Sequence, residues 1–265
     1  MSRPDALRGA VVAIAEEAGR AIQRVYHGAD FEVQRKDDDS PLTAADLAAH
    51  RVIVERLRAL AADIPLLSEE GSEIPFATRG QWRRYWLIDP LDGTREFIKR
   101  NGQFTVNIAL IEDGAPVLGV VHAPELDKTW SAIPADGAWL CDEHGERALH
   151  TTPTTDRPRV LVSSSHRTPE VDALLARMPD YEPVAMGSSL KFCLIAQGQA
   201  DFYPRLGPTS EWDTAAAHAV LAAAGGRVIA LNGEDLRYNQ KDSLLNPHFL
   251  AFGDRTHDWG QYVSP

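Results

Sequence analysis

The segment Tyr85-Trp86-Leu87-Ile88-Asp89-Pro90-Leu91-Asp92-Gly93-Thr94 constrains this chain more than any other. Its apolar start reads as a buried strand, and the strand's carboxyl end delivers two carboxylates three positions apart. Pro90 fixes the backbone and removes a donor. Gly93 permits a tight turn or the close approach of a ligand. Thr94 precedes Arg95-Glu96-Phe97-Ile98, which can open a helix, and free N–H groups at a helix start attract anions. The loop therefore offers hard oxygen ligands to a cation and donors to an anion. An ordinary turn with an Asp N-cap has the same local look, so the weight lies in what accompanies it. Glu69 and Glu70 end another apolar run, 64–67, and Asp213 begins a helix after Trp212. Carboxylates gathered without cations repel one another and titrate high. Divalent metals resolve that conflict, oxygen-only ligands favour Mg²⁺ over Zn²⁺, and such sites commonly serve phosphoryl chemistry.

The pattern around this loop predicts layered α/β architecture, with a mixed first half and an alternating second half. Leu7, Val11, Ile14, Ala18, Ile22 and Val25 recur at three- and four-residue intervals, which predicts an amphipathic helix over 5–26. Polar turn chemistry at 36–41 follows. Thr43 is the expected N-cap of a second helix running to about residue 60, with Asp46 in the capping-box position and Leu47, Val54, Leu57 and Leu60 on its inner side. Strands are expected at 64–67, 86–88, 105–111, 116–122, 128–133 and 137–140, with a hairpin turn at Glu112-Asp113-Gly114. The looser stretch 151–155 is the candidate boundary between subdomains 1–155 and 156–265. Beyond it the spacing predicts strands at 160–163, 181–185, 227–231 and 248–252. Helices are expected at 169–177, 188–197 (closed by Gly198) and 212–224 (closed by Gly225-Gly226).

Charge narrows the function classes. Lys and Arg total 27 against 38 Asp and Glu, a net charge of −11. A field of that sign repels polyphosphate backbones and disfavours a nucleic-acid polymer as partner. Cys141 and Cys193 form no metal spacing or disulfide framework and read as small apolar side chains in a reducing compartment. The first residues lack a signal-peptide pattern. The longest charge-free run found, 214–226, has 13 residues, short of the roughly 18 a membrane helix needs. A cytoplasmic protein is expected.

The motif DPLDGT, with SEE upstream and WDTAAAHAV downstream, resembles the inositol monophosphatase superfamily of Mg²⁺-dependent, lithium-sensitive phosphatases. SPLTAAD (40–46), LLSEE (66–70), YWLIDPLDGTREFIKRNGQFTVNIAL (85–110), GSSLKFCLIAQGQADFYPRLGPT (187–209) and WDTAAAHAVLAAAGG (212–226) are similar to its CysQ-type 3′(2′),5′-bisphosphate nucleotidases. The resemblance implies the layered inositol monophosphatase fold and two or three Mg²⁺ ions. It implies that Glu69, Asp89 and the Leu91 carbonyl hold one metal and that Asp89, Asp92 and Asp213 hold a second. Leu91, Asp92, Gly93 and Thr94 would line the phosphate, with Glu69 and Asp213 beside it. Asp46 and Thr94 would orient the attacking water alongside Glu69, while Glu70 plays a supporting part. Ser188 and Lys191, taken to share a helix face, and Arg205, after a strand, would meet the nucleotide's second phosphate and sugar; a surface charge or helix cap is the plainer reading of each. His166 is a weaker candidate for the nucleoside. Arg95 and Ala217 stand where Lys and Gly are common in the family.

Three functional readings follow. The first is hydrolysis of the 3′-phosphate of adenosine 3′,5′-bisphosphate, with the sulfated nucleotide as second substrate, in recycling a by-product of sulfate assimilation. The second is an inositol- or sugar-monophosphate phosphatase. The third is a non-catalytic metal- or nucleotide-binding regulator. No protein partner is evident, and a monomer or homodimer is expected. The family also brings in a peripheral position at the cytoplasmic face of the inner membrane. The basic cluster Arg95, Lys99 and Arg100 reads equally as a solvated face paired with Glu96, and Trp212 as packing beneath Asp213.

Overall fold

The computed structural model describes residues 3–28, 33–35, 41–163 and 168–263. Alternation within the strands explains how its layers stack. α1 (Pro4–Tyr26), β1 (Val33–Arg35), β2 (Pro41–Thr43) and α2 (Ala44–Leu60) open the chain, with β1 and β2 pairing antiparallel. β3 (Leu66–Ser68), α3 (Phe76–Arg79), β4 (Arg84–Asp92), α4 (Thr94–Ile98), β5 (Thr105–Glu112), β6 (Ala115–Ala123), β7 (Lys128–Ile133), β8 (Gly137–Asp142) and β9 (Gly145–Ala148) follow. Strands β3 to β9 form one seven-stranded sheet in sequence order. The β5–β6 turn is the expected hairpin: Asp113 and Gly114 both take left-handed φ, at 46° and 78°.

Both faces of this sheet are buried. Trp86, Ile88, Val106, Ile108, Leu110, Leu118 and Val120 pack against α1 and α2. Their neighbours in the strands, Tyr85, Leu87, Ala109, Ile111 and Val121, face the second half of the chain. That half contains β10 (Arg159–Ser163), α5 (Pro169–Leu175), β11 (Glu182–Met186), α6 (Leu190–Ala196), β12 (Phe202–Arg205), α7 (Glu211–Ala223), β13 (Arg227–Ala230), β14 (Phe249–Phe252) and a terminal 3₁₀ turn, Trp259–Tyr262. Its strands form a mixed sheet in the order β11-β10-β12-β14-β13. Leu161, Tyr203, Val228 and Ala251 meet α6 and α7 on one face. Val160, Val162, Phe202, Leu250 and Phe252 meet α5 and Trp259 on the other. The layers thus run helix, sheet, helix, sheet, helix, as the pattern predicts, with α6 and α7 sandwiched between the two sheets.

Several expectations are corrected. The inner stripe of α2 is Ala45, Asp46, Ala49, Ile53 and Leu57, with Leu47, Val54 and Leu60 only partly buried; close packing on α1 selects small side chains that carry little hydrophobic signal. Tyr26, not Val25, is the buried residue at the end of α1. Cys141 is exposed, whereas Cys193 is buried, and both are free thiols. Trp212, in agreement with its packing reading, is partly buried against the central cluster. No helix among the described residues is long and apolar enough to cross a membrane.

Candidate active site

Strand pairing does the first assembly step. β3 runs parallel to β4 with Ser68 opposite Ile88, so the next residue on each strand brings Glu69 beside Asp89. The Glu69 N–H donates to the Ile88 carbonyl at 3.1 Å. Beyond Asp89 the pairing with β5 slips register before resuming at Asp92, and Asp89 Oδ1 accepts the Leu91 N–H at 3.0 Å. From the other half, the first turn of α7 presents Asp213, fixed through its Oδ2 by Thr209 Oγ1 (2.7 Å) and the Ser210 N–H (2.9 Å). Ligand oxygens of Glu69, Asp89 and Asp213 lie within 4.8 Å of one another. Asp92 borders the same cavity but stands outside that triad; its Oδ2 accepts the Ser189 N–H at 2.5 Å.

Asp46 is buried in the first turn of α2, in the capping box expected with Thr43. Its Oδ2 accepts both the N–H and the hydroxyl of Thr43 at 2.7 and 2.6 Å. Its Oδ1 lies 3.4 Å from Thr94 Oγ1, which lies equally far from the Leu91 carbonyl. Gly93 takes φ 95°, and a Cβ there would come within 3.0 Å of the Gln103 carbonyl, so the turn requires glycine.

The electrostatics are those of a buried acid cluster that Lys191 and Arg205 only partly offset. Burial pushes Asp89 well above the usual carboxylate range, reinforced by Glu69, Asp92 and Asp213. Burial, then the Asp213 charge, lifts Asp92 to about 7. Asp213 is likewise raised by burial, against the Thr209 and Ser210 hydrogen bonds. Burial lowers Lys191 to about 8, opposed by the Asp92 charge.

A cavity of about 220 Å³ connects these groups with the second half of the chain. Glu69, Asp89, Leu91, Asp92, Gly93, Thr94 and Asp213 border it, as do Ser188, Lys191 and Arg205. Ser188 lies outside helix α6, in left-handed backbone at φ 46°, which corrects the expected shared helix face. Instead Lys191 Nζ folds back to the Ser188 carbonyl at 2.6 Å and lies 5.2 Å from the Tyr203 ring centre. Arg205 ends β12, donates through Nη2 to the Pro208 carbonyl, and keeps a buried Nε with no hydrogen-bond partner among the described residues. His166 and the turn at 36–40 lie outside the described residues. Glu70 is half-buried. Lys99 lies 3.9 Å from Glu96, but Glu96 is buried and borders the cavity together with Arg95, which corrects the reading of this segment as a solvated face. The sequence reading did not single out Thr209, Ser189, Asn107 or Gln103. Thr209, just before the Asp213 cap, and Asn107, polar within an apolar strand, were the available signals.

The donor set is all oxygen, converges from three separate elements, and carries raised proton affinities; it fits a hard divalent cation. Comparison with known proteins shows the family and the fold. The profile of the inositol monophosphatase family matches residues 4–258. The 3′(2′),5′-bisphosphate nucleotidase CysQ of Salmonella typhimurium is 52% identical over 240 residues, covering 90% of this chain and 96% of that protein. A crystal structure of CysQ from Bacteroides thetaiotaomicron aligns with TM-score 0.83 at 40% identity, covering 93% of this chain and 97% of that one. An IMPase structure from Thermotoga maritima aligns with TM-score 0.78 at 25% identity, over 96% and 94% of the two chains.

Proposed function

The chain belongs to the inositol monophosphatase family, and on that premise we propose that it is a 3′(2′),5′-bisphosphate nucleotidase, hydrolysing the 3′-phosphate of adenosine 3′,5′-bisphosphate to AMP and phosphate. The sulfated nucleotide is the second substrate of this reading. The observation that carries it is one cavity whose lining combines the carboxylates Glu69, Asp89 and Asp213 with the cations Lys191 and Arg205. A bisphosphate needs both: a metal-loaded acid cluster for the phosphate that leaves and cations for the one that stays.

Mg²⁺ is the proposed ion, two or three per site. Glu69, Asp89 and the Leu91 carbonyl would hold one, and Asp89, Asp92 and Asp213 another. Bound there, divalent cations supply Lewis-acid charge that eases deprotonation of water and stabilises the departing oxygen of an in-line displacement. The chain's own groups do the rest. Asp46 accepts from Thr94, whose hydroxyl then orients the attacking water, and Glu69 takes up its proton. Leu91, Asp92, Gly93 and Thr94 line the scissile phosphate, and the N–H groups of Gly93 and Thr94 face charge that develops on it. Ser188, Lys191 and Arg205 hold the second phosphate and sugar. Among the described residues nothing accepts from the buried Arg205 Nε, and an anion there would satisfy it.

Structural likeness to the Thermotoga maritima IMPase favours, as runner-up, a phosphatase acting on inositol or sugar monophosphates. Phosphate release with Mg²⁺ separates the two. Turnover of adenosine 3′,5′-bisphosphate well above that of inositol 1-phosphate is expected; equal or reversed preference overturns the assignment. In the same reading residues 1–155 form the subdomain with most metal ligands, and 156–265 the subdomain that sets substrate choice. The protein would act in the cytoplasm or peripherally at the inner membrane's cytoplasmic face, as a monomer or homodimer.

A further inference from the structure

We infer that Ser189, Asn107 and Gln103 are positioning residues that tie the turn at 187–189 to Asp92, so that a divalent cation and the nucleotide's remote phosphate strengthen each other's binding. The inference rests on the proposed roles of Asp92 toward metal and of Ser188 and Lys191 toward nucleotide.

Asp92 lies at the end of β4 in the first half of the chain, and Ser189 caps α6 in the second. The Ser189 N–H donates to Asp92 Oδ2 at 2.5 Å. Asn107, on the neighbouring strand β5, reaches the same oxygen with Nδ2 at 3.5 Å. The Ser189 hydroxyl donates to Asn107 Oδ1 at 2.9 Å. With its single proton thus used, it accepts from Thr105 Oγ1, also at 2.9 Å. This arrangement fixes which way the Asn107 amide faces and turns its NH₂ toward Asp92. All three side chains are buried, where no water competes for them.

A second tether holds the same turn. The Gly187 N–H donates to Gln103 Oε1 at 2.9 Å. Ser188 is held in left-handed backbone, and a Cβ on Gly93 would lie 3.3 Å from the Ser188 Cβ. Lys191 is anchored to this turn through the Ser188 and Met186 carbonyls. A shift of the turn toward a phosphate therefore moves the donor on Asp92, and a shift of Asp92 toward a cation moves the turn. Such coupling is reciprocal.

The test is calorimetric titration of the full-length protein with Mg²⁺, with and without saturating AMP. AMP retains the remote phosphate and has no 3′-phosphate to lose. In the wild type, AMP should tighten Mg²⁺ binding about tenfold, within the ordinary range of coupling between sites. Ser189→Ala leaves Asn107 free to turn and should reduce that factor below about threefold. Gln103→Ala, which touches neither Asp92 nor Lys191, should do the same while leaving the affinity for Mg²⁺ alone within about twofold of wild type; a merely structural lesion would not separate these two readings. A wild-type factor near one, or variants that keep the wild-type factor, overturns the coupling. Turnover of adenosine 3′,5′-bisphosphate is measured on the same samples: turnover without coupling sinks this inference alone, and absent turnover sinks the nucleotidase reading beneath it.

Discussion

Thr94 Oγ1 stands 3.4 Å from Asp46 Oδ1, a contact that joins the start of α4, at the edge of the cavity, to the first turn of α2. Asp46 has two duties, since its other oxygen closes the α2 capping box. The two are separable. Asp46→Asn should lower kcat about 10²-fold, the scale for misplacing a reacting group by about 1 Å, and also cost about 0.5–2 kcal/mol of stability through the weakened cap. Thr94→Ala should give the kinetic loss without the cap penalty. Steady-state kinetics and urea unfolding of both variants check this, and a Thr94→Ala enzyme with wild-type kcat rules the pair out of the reaction.

Lys191 and Arg205 should discriminate between substrates. Each would give a charge-assisted bond to the second phosphate, so Lys191→Met or Arg205→Met should lower kcat/KM for adenosine 3′,5′-bisphosphate about 10- to 100-fold, the equivalent of about 1.5–3 kcal/mol. Inositol 1-phosphate has no second phosphate to meet them, and its slower turnover should hardly change. Met matches the Lys stem in length and flexibility, so the buried position remains filled. Parallel losses on both substrates would place these cations elsewhere in the mechanism.

The parts of the site that were legible in the sequence are those that double as local punctuation. Asp89 and Asp92 end a strand, Gly93 turns it, and Asp46 and Asp213 stand three residues after caps, at Thr43 and Ser210. Each leaves a mark on the chain wherever the rest of the protein lies. Their convergence was argued from acids at the ends of several elements, and the ligand sets came only through resemblance, because no spacing encodes the parallel β3–β4 pairing that sets Glu69 beside Asp89. Less legible were elements whose stability comes from elsewhere. Strand β9 is exposed along its length and exists through pairing with β8. Helix α3 has four residues. Ala45 and Ala49 are core residues because α1 approaches them closely, and alanine gives little hydrophobic signal. Ser189 and Thr105 meet only after two halves of the chain have folded together.

Gly119 marks where those halves touch. A Cβ there would come 2.2 Å from the Ala216 carbonyl and 2.7 Å from the Ala219 Cβ, so β6 and α7 approach to a distance only glycine allows. Gly119→Ala should push α7 away and cost about 1–3 kcal/mol as an overpacked core does, seen as a lower urea midpoint at unchanged slope. Because α7 carries Asp213, the surviving folded protein should also bind Mg²⁺ more weakly. Loss of stability with unaltered Mg²⁺ affinity would show that α7 tolerates displacement without disturbing the acid triad.

Removing the metal should disclose the acid cluster as a liability. A chelator should abolish activity and Mg²⁺ restore it, while Ca²⁺ competes because it accepts looser, longer coordination. Lithium at millimolar scale should inhibit, by likeness to the family. Binding to the folded state alone should also stabilise it by about 2.7 kcal/mol at a hundredfold excess over Kd. In Asp213→Ala that gain should largely vanish, since one of three converging ligands is lost. An equal Mg²⁺-dependent rise in Tm for both proteins would mean that the cation binds away from this site.

Acid should act through histidine as well as through the carboxylates. His218 is buried on α7 with its Nδ1 3.0 Å from the Tyr238 hydroxyl, and burial lowers it from 6.5 to about 4, slightly opposed by Asp235. The folded protein therefore keeps His218 neutral where the unfolded chain has already protonated it. That contribution to stability is complete above 6.5, and it is lost as the pH falls through the window down to about 4. At 1.36 kcal/mol per unit, the full loss is about 3 kcal/mol. His122, also lowered to about 4, acts in the same direction, and the raised carboxylates act in the opposite one, so the informative quantity is the difference between proteins. His218→Leu removes one titration and keeps the site apolar. Urea unfolding with chelator present, at about pH 7 and about pH 4.5, should show the variant losing less stability than the wild type by up to that amount. Superimposable pH dependences would mean that His218 is already protonated in the folded protein, with a countercharge or water reaching it on α7.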